Sequence, residues 1–205
     1  SQSLVCSGLA RIYNYDSNWG GDVTFIAPRN ITRGTLYNRT AYIEKTGASN
    51  DASAGGNTFA MDADFVNSGS GYFVLGNGTF DTYSANVNLT NTGSRHMYFA
   101  YNGPGHSVSG NLTATNSGSG TSGIYIGSGN TSTLTINGNI ALTQNGTGNT
   151  LYTYLGDQGD ITANGTVTLV NSGTGTTSEM RIANNTNSAV TIFGATSITN
   201  NNTAL

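Results

Sequence analysis

Short runs of alternating apolar and polar residues recur along the whole chain, and turns rich in Gly, Ser, Asn and Thr separate them. Residues 111–139 show one complete period, which contains three such runs. The same order returns in residues 139–165 and 166–194. Period-two alternation is typical of β-strands with one buried face, and its regular return predicts coils of a repeating β structure.

One turn in each coil can be aligned on a central marker residue, and successive markers are 18 to 29 residues apart. The markers are Gly8, Arg29, Gly47, Gly69, Gly93, Gly118, Gly146, Gly173 and Asn202. The residue four positions before the marker is apolar in every coil, from Leu4 to Ile198. From the second marker on, the columns six and ten positions before it are also apolar, except for Thr196 in the former. We expect all three columns to point inward and to be buried.

These columns predict the fold class. Hairpins would pair neighbouring strands, whereas equal columns at one-coil spacing place each strand on its counterpart in the next coil. The sequence therefore predicts an all-β parallel β-helix, a β-solenoid, of about eight coils of 18–29 residues with about three short strands each. Right-handed winding is expected from the handedness of parallel crossovers. Residues 1–205 are expected to form a single solenoid segment, cut from a longer repeat array at both ends.

Asparagine is frequent beside the marker turns, where it tolerates left-handed backbone and can hydrogen-bond its own main chain. The residues in question are Asn67, Asn91, Asn116, Asn145 and Asn171. Stacked coil on coil, their side chains are predicted to form a hydrogen-bonded ladder.

Composition narrows the possible partners. Only 36% of the residues are apolar and 8% charged, yet the apolar residues alternate within β-branched and aromatic runs, which indicates a folded chain. The net charge is −3 and the seven basic residues are scattered, so no nucleic-acid partner is expected. Cys6 is the single cysteine, which excludes an intrachain disulfide. Because no apolar run has membrane-spanning length, no membrane insertion is expected.

Several pieces of the chain resemble the β-strand repeats of very large secreted surface proteins of Bacteroidetes. They are Lys-Thr-Gly-Ala-Ser-Asn-Asp at 45–51, Gly-Gly-Asn-Thr-Phe at 55–59, Asn-Ser-Gly-Ser-Gly-Tyr-Phe-Val-Leu-Gly-Asn at 67–77, Asn-Thr-Gly-Ser-Arg at 91–95 and Tyr-Phe-Ala-Tyr-Asn at 98–102. The resemblance implies secretion to the cell surface and a long adhesin or fibre, and it implies no catalytic residues. The sequence departs from the repeat pattern at Arg29 and at residues 60–62, where turn residues are expected.

Some residues of the chain could belong to a nucleotide-binding or a glycan-cleaving site, but each of them also fits a purely structural role. Residues 118–123 fit the spacing GxGxxG, but no helix is predicted to follow and a glycine turn recurs there in other coils. Asp62 and Asp64 are expected to point outward on one coil, while Arg95 and His96 come after the next marker turn. A glycan-cleaving site needs such groups clustered on one face, so these four are predicted to be solvated surface residues.

Other residues could bind calcium or sugars. Asp157 and Asp160 flank a possible oxygen-ligand loop, but the repeated Gly-Gly-x-Gly-x-Asp of calcium-loaded β-rolls is missing. Tyr42, Tyr98 and Tyr152 are aromatic residues that could stack on sugars or pack between protomers.

The sequence thus predicts no catalytic, cofactor-binding or metal-binding residues and no enzyme. Its leading functional prediction is a structural repeat segment of a long extracellular fibre or adhesin, which associates with copies of itself as a homo-oligomer or filament and contacts glycans or other cell surfaces. The alternative is a carbohydrate-binding or carbohydrate-cleaving β-helix domain. An aromatic groove with carboxylates on one face would favour the alternative.

Overall fold

The computed structural model describes residues 1–202, and every regular element in that range is a β-strand. All strand pairs are parallel, and each strand pairs with its counterpart one coil away. The predicted all-β solenoid is therefore confirmed. No helix in the described range is long and apolar enough to cross a membrane.

Sheet 1 contains nine strands and runs through the whole stack. Its strands are β1 (Gln2–Val5), β4 (Val23–Ala27), β7 (Ala41–Lys45), β10 (Ala63–Asn67), β13 (Val87–Asn91), β16 (Leu112–Asn116), β19 (Ile140–Gln144), β22 (Val167–Asn171) and β25 (Thr196–Asn200). The predicted column from Leu4 to Ile198 is in register at every step, as is the column that begins at Val23. The alternation of the sequence is sufficient to set this register, since a slip by one residue would turn the apolar set outward.

Sheet 2 contains six strands and sheet 3 contains eight. The strands of sheet 2 are β8 (Asp51–Ala52), β11 (Phe73–Val74), β14 (His96–Phe99), β17 (Thr121–Ile126), β20 (Thr150–Leu155) and β23 (Thr177–Ile182). The strands of sheet 3 are β3 (Asn18–Trp19), β6 (Leu36–Tyr37), β9 (Thr58–Phe59), β12 (Thr82–Tyr83), β15 (His106–Val108), β18 (Thr133–Ile136), β21 (Asp160–Ala163) and β24 (Val190–Ile192). Only six coils contribute a strand to all three sheets, so the number of complete coils is six where about eight were expected.

The core lies between the three sheets and is built from the predicted inward columns. In the coils between the two end strands these side chains are nearly inaccessible to solvent, as for Phe65 and Leu142. At the two ends of the stack the same columns are open, and Leu4 is 48% and Ile198 65% exposed. Phe59 lies between Tyr37 and Tyr83 in sheet 3, with ring centroids 4.5 and 4.8 Å apart and nearly parallel planes. Stacking the coils therefore also stacks the aromatic rings.

The marker glycines are explained by close backbone approach between coils. A Cβ atom on Gly93 would lie only 2.0 Å from the carbonyl oxygen of Gly69 in the preceding coil. Any side chain there would push the coils apart, so the turn requires glycine.

The predicted amide ladder exists with one correction. Its members are the last residues of the sheet 1 strands, namely Asn67, Asn91, Asn116, Gln144 and Asn171. Asn145 is not a member and is exposed, because the coil that holds it places Gln144 in register with Asn116 instead. The ladder side chains are buried, and amide hydrogen bonds join Asn67 to Asn91, Asn91 to Asn116 and Gln144 to Asn171. Between Asn116 and Gln144 the ladder is interrupted, because Asn116 Nδ2 donates to the Ser122 and Tyr152 carbonyls instead.

The first coils differ from the predicted pattern. Arg29 is not a turn residue but the first residue of β5 (Arg29–Arg33), which forms a separate two-stranded sheet with β2 (Arg11–Tyr15). Its backbone reaches the next coil through one isolated bridge, between Arg33 and Gly55. Sheet 2 thus starts at β8, and β5 meets β8 mainly through side chains. Asp51 Oδ2 accepts from the Asn30 amide at 2.8 Å and Ser53 Oγ from the Thr32 amide at 3.1 Å. These side chains take the place of backbone acceptors at the break between the two sheets.

Candidate functional site

The outward face of sheet 2 is covered by aromatic side chains. We call this set the aromatic face, and its members are Tyr72, His96, Tyr98, Tyr101, Tyr125, Tyr152 and Tyr154. It follows from strand register, because Tyr98, Tyr125 and Tyr154 are successive partners in β14, β17 and β20. The outward alternation of three neighbouring strands therefore places one ring above the next.

The rings of the aromatic face pack against one another. The ring centroids of Tyr98 and Tyr125 are 5.0 Å apart with planes inclined by 24°, and Tyr125 meets Tyr154 edge to face at 5.0 Å. Gly123 makes room for them, since a Cβ atom there would lie 2.8 Å from the Tyr125 ring. Most of these rings are half-buried, so the face combines packed edges with accessible ring surface.

The aromatic face is uncharged near neutral pH. Burial, followed by the neighbouring Arg95, lowers the pKa of His96 to about 4. Burial, followed by Tyr72, raises the pKa of Tyr98 to about 12, and burial also raises the pKa of Tyr125. Charged side chains lie at the rim. Arg95 lies over the Tyr72 ring and Arg181 over the Tyr154 ring, and Glu179 Oε2 accepts from the Tyr154 hydroxyl at 3.2 Å.

A groove of about 400 Å³ opens at the N-terminal end of the aromatic face. It lies where the two-stranded sheet stops and sheet 2 begins, and its residues come from both sides of that break. It is lined by Arg29, Ile31, Asn50, Asp51, Ala52, Tyr72, Val74, Asn77, Tyr98 and Tyr101. Three tyrosine rings thus share one concave surface with a guanidinium and two carboxamides.

The polar side of the groove is organised by a buried carboxylate. Arg29 Nε donates to Asp51 Oδ1 at 3.0 Å, and the Asp51 side chain is completely buried while 23% of the Arg29 side chain is exposed. Burial raises the pKa of Asp51, an effect that its hydrogen bonds from Asn30 and Arg29 oppose. The carboxylate therefore holds Arg29 in place, and the guanidinium is the charged group that faces solvent in the groove.

The four residues predicted to be solvated lie at two different sheets. Asp62 and Arg95 are exposed, whereas Asp64 and His96 are half-buried, so the prediction is wrong for His96, which packs in the aromatic face. Asp64 is on the outward side of sheet 1, where its Oδ1 accepts from Asn88 Nδ2 at 2.7 Å, and Asp62 in the turn before it accepts from Asn86. His96 belongs to the aromatic face of sheet 2, and Arg95 precedes it. The structure does not bring the two carboxylates together with the histidine.

The two possible calcium ligands, Asp157 and Asp160, accept hydrogen bonds from different groups. Asp157 is buried and its two oxygens accept from Ser128 Oγ and Asn184 Nδ2, both at 2.8 Å, whereas exposed Asp160 accepts from the Ala189 amide at 2.9 Å. In residues 1–202 no three His, Cys, Asp or Glu side chains are grouped so that they could hold a metal ion. Of residues 118–123, the first three lie in the turn and the last three already belong to strand β17, so no helix follows the glycines.

Two of the three tyrosines that the sequence singled out, Tyr98 and Tyr152, are part of the aromatic face. Tyr42 lies on sheet 1, where its hydroxyl donates to Glu44 Oε2 at 2.8 Å. Sequence reasoning missed the groove and its residues Arg29 and Asp51. The recurrence of tyrosine after four successive marker turns, those at Gly69, Gly93, Gly118 and Gly146, was the available signal, because in-register strands stack residues that repeat at one-coil spacing.

Comparison of the chain with models of known protein families, with curated proteins and with solved structures found no match.

Proposed function

We propose that this chain is a structural repeat segment of a long extracellular fibre or adhesin, which extends from the cell surface and mediates attachment or cell contact. The observation that carries the proposal is the unbroken nine-stranded sheet 1, in which every coil repeats the same inward columns. Its eight coil intervals, at about 4.8 Å each, make a rod about 38 Å long. A stack of this kind is long and stiff, and it presents the same side chains at regular intervals.

The flank of the rod supports association between copies of the chain. Only 17 of the 205 side chains are charged, so electrostatic repulsion between neighbouring rods is weak. Apolar side chains such as Met61 (43% exposed) and Phe80 (50%) are open to solvent on this flank. The proposed assembly is a homo-oligomer or filament, formed without nucleic acid or membrane insertion.

Immunogold electron microscopy of intact source cells tests this function. An antibody against the chain is expected to label fibres outside the cell without permeabilisation. The control is an antibody against a cytoplasmic protein of the same cells, which should label only permeabilised samples. If the antibody against this chain also needs permeabilisation, the extracellular fibre function is wrong.

The groove favours a second function, the binding of a polysaccharide. Its three tyrosines offer flat apolar surface, which matches the C–H face of a pyranose ring, and Asn50, Asn77 and Arg29 offer polar groups for hydroxyls. Concave sites with aromatic walls and a few fixed polar groups are typical of ligand pockets. Glycosidic cleavage generally needs two facing carboxyl groups, whereas Asp51, the carboxylate that lines the groove, is held by Arg29. The geometry therefore favours binding over cleavage.

Replacing Tyr101 by Ala is expected to weaken polysaccharide binding by about tenfold or more, as for an aromatic anchor of an interface. Tyr101 lies at the edge of the aromatic face and meets Tyr98 at 5.4 Å, so its removal should leave the core intact. Affinity electrophoresis against a panel of neutral and acidic polysaccharides measures the change. Tyr42→Ala on sheet 1 is the matched control and should bind as the wild type does. Binding to no member of the panel, or an equal loss in the control, would rule out the groove as a glycan site.

A further inference from the structure

The amide ladder of sheet 1 is preceded by a lysine. Lys45, the last residue of β7, is the in-register partner of Asn67 in β10, so it holds the ladder position one coil before the first asparagine. Both side chains are completely buried. Lysine is rarely buried because its ammonium must leave water, and here the described contacts of Nζ include only the Gly47 carbonyl oxygen as acceptor. The burial of the Lys45 ammonium therefore needs a chemical explanation.

The ladder amides share one orientation. Asn67 Nδ2 donates to Asn91 Oδ1, and Asn91 Nδ2 donates to Asn116 Oδ1, each at 3.3 Å. Each Oδ1 atom therefore faces the preceding coil. By the same orientation Asn67 Oδ1 faces the strand that carries Lys45, and this buried oxygen has no hydrogen-bond partner among the described residues. The unsatisfied carbonyl of Asn67 thus faces the coil of the buried lysine.

A buried carboxyl group acts on the same lysine. Asp51 begins β8, shortly after the turn that follows Lys45, and its side chain has no exposed surface. Burial lowers the pKa of Lys45 and raises the pKa of Asp51, while the Coulomb interaction between the two groups opposes both shifts. Transfer of one proton from the ammonium to the carboxylate, which keeps its hydrogen bonds from Arg29 Nε and the Asn30 amide, would neutralise Lys45 and Asp51 and leave a nucleophilic amine.

We propose that Lys45 and Asn67 are joined by an intramolecular isopeptide bond, which covalently links the coil of β7 to the coil of β10. Nζ attacks Cγ of Asn67, the Nζ–Cγ bond forms, and the Cγ–Nδ2 bond breaks with release of ammonia. Of the three Nζ protons, one goes to Asp51, one leaves with Nδ2 and one stays on the new amide. No oxidant or cofactor is consumed. The bond replaces a buried ammonium by a neutral amide at the start of the complete coils, and Asn67 Oδ1 stays as the carbonyl oxygen of that amide.

Intact-mass measurement of the purified native protein tests the bond. The wild type is expected to be lighter than its sequence by one ammonia molecule. Trypsin cannot cut after an acylated lysine, so digestion should yield residues 40–95 as one peptide, bounded by Arg39 and Arg95, in place of cleavage after Lys45. Tandem mass spectra should locate the loss to Lys45 and Asn67. Full mass together with complete cleavage after Lys45 would overturn the proposal.

Two variants separate this bond from other ways of losing ammonia. Cyclisation at an Asn-Gly pair such as Asn77-Gly78 also releases ammonia, but it would persist in Lys45→Met, which should instead have its full mass if the proposal is right. Asp51→Asn removes the proton acceptor and is also expected to have its full mass and to be cleaved after Lys45. If ammonia loss persists in Lys45→Met, the isopeptide bond is refuted. The tryptic peptide of residues 40–95 and the tandem mass spectra of the wild type decide the matter even if a variant does not fold.

Discussion

Replacing Phe65 by Ala is expected to lower the free energy of unfolding by about 3–5 kcal/mol, the range for deleting a buried aromatic side chain. Phe65 is 1% exposed and occupies the inward column of sheet 1 in the middle of the stack. Its ring packs edge to face on Phe59 at 5.4 Å and on Tyr83 at 6.0 Å. Neighbouring coils are held by backbone ladders and cannot collapse far into the cavity, so the loss should lie at the upper end.

Urea unfolding followed by circular dichroism measures this difference. Thr113→Ala is the control, because Thr113 lies on the outward side of β16 in the same sheet and is exposed. We expect the control to change stability by less than about 0.5 kcal/mol, as surface substitutions usually do. Equal effects of the two substitutions would mean that the inward column has been assigned to the wrong face.

Replacing Asn91 by Leu is expected to break the amide ladder and to cost about 1–3 kcal/mol for each buried group left without a partner. Asn91 is completely buried, and its Nδ2 donates to the Arg95 carbonyl at 2.8 Å, the Gly123 carbonyl at 3.0 Å and Asn116 Oδ1 at 3.3 Å. Leucine fills a similar volume but supplies none of these donors. The loss should therefore exceed that of one hydrogen bond.

Asn88→Leu provides the matched control for the ladder. Asn88 lies on the same strand, β13, but on its outward side, where it donates to Asp64 Oδ1 and is exposed to water. The same chemical change should therefore have little effect on stability there. The comparison is made by thermal unfolding of both variants at one pH. If Asn91→Leu were as stable as the wild type, the ladder would contribute nothing to the fold.

The order of the strands and their register could be predicted because they follow from local pattern. Side chains alternate along a strand, and a repeat at coil spacing forces each apolar position onto the same position of the next coil. Thus the pairing of Phe65 with Ile43 and Leu89 is already visible in the intervals between turns. Tyrosines such as Tyr98 and Tyr125 are stacked by the same rule.

The groove could not be predicted from the sequence, because its position depends on tertiary contacts. The marker spacing predicts a turn at Arg29, but the chain continues past Pro28 as strand β5. Because β5 pairs with β2 in a separate sheet, sheet 2 begins one coil later. Whether a short polar segment turns or extends depends on acceptors that neighbouring coils supply, here the side chains of Asp51 and Ser53. Those acceptors lie about twenty residues away in sequence, beyond the reach of any local pattern. Repetition along the chain therefore determines the stacked sheets of the rod by itself. Long-range contacts determine where the groove opens, because the groove lies at a break in that repetition.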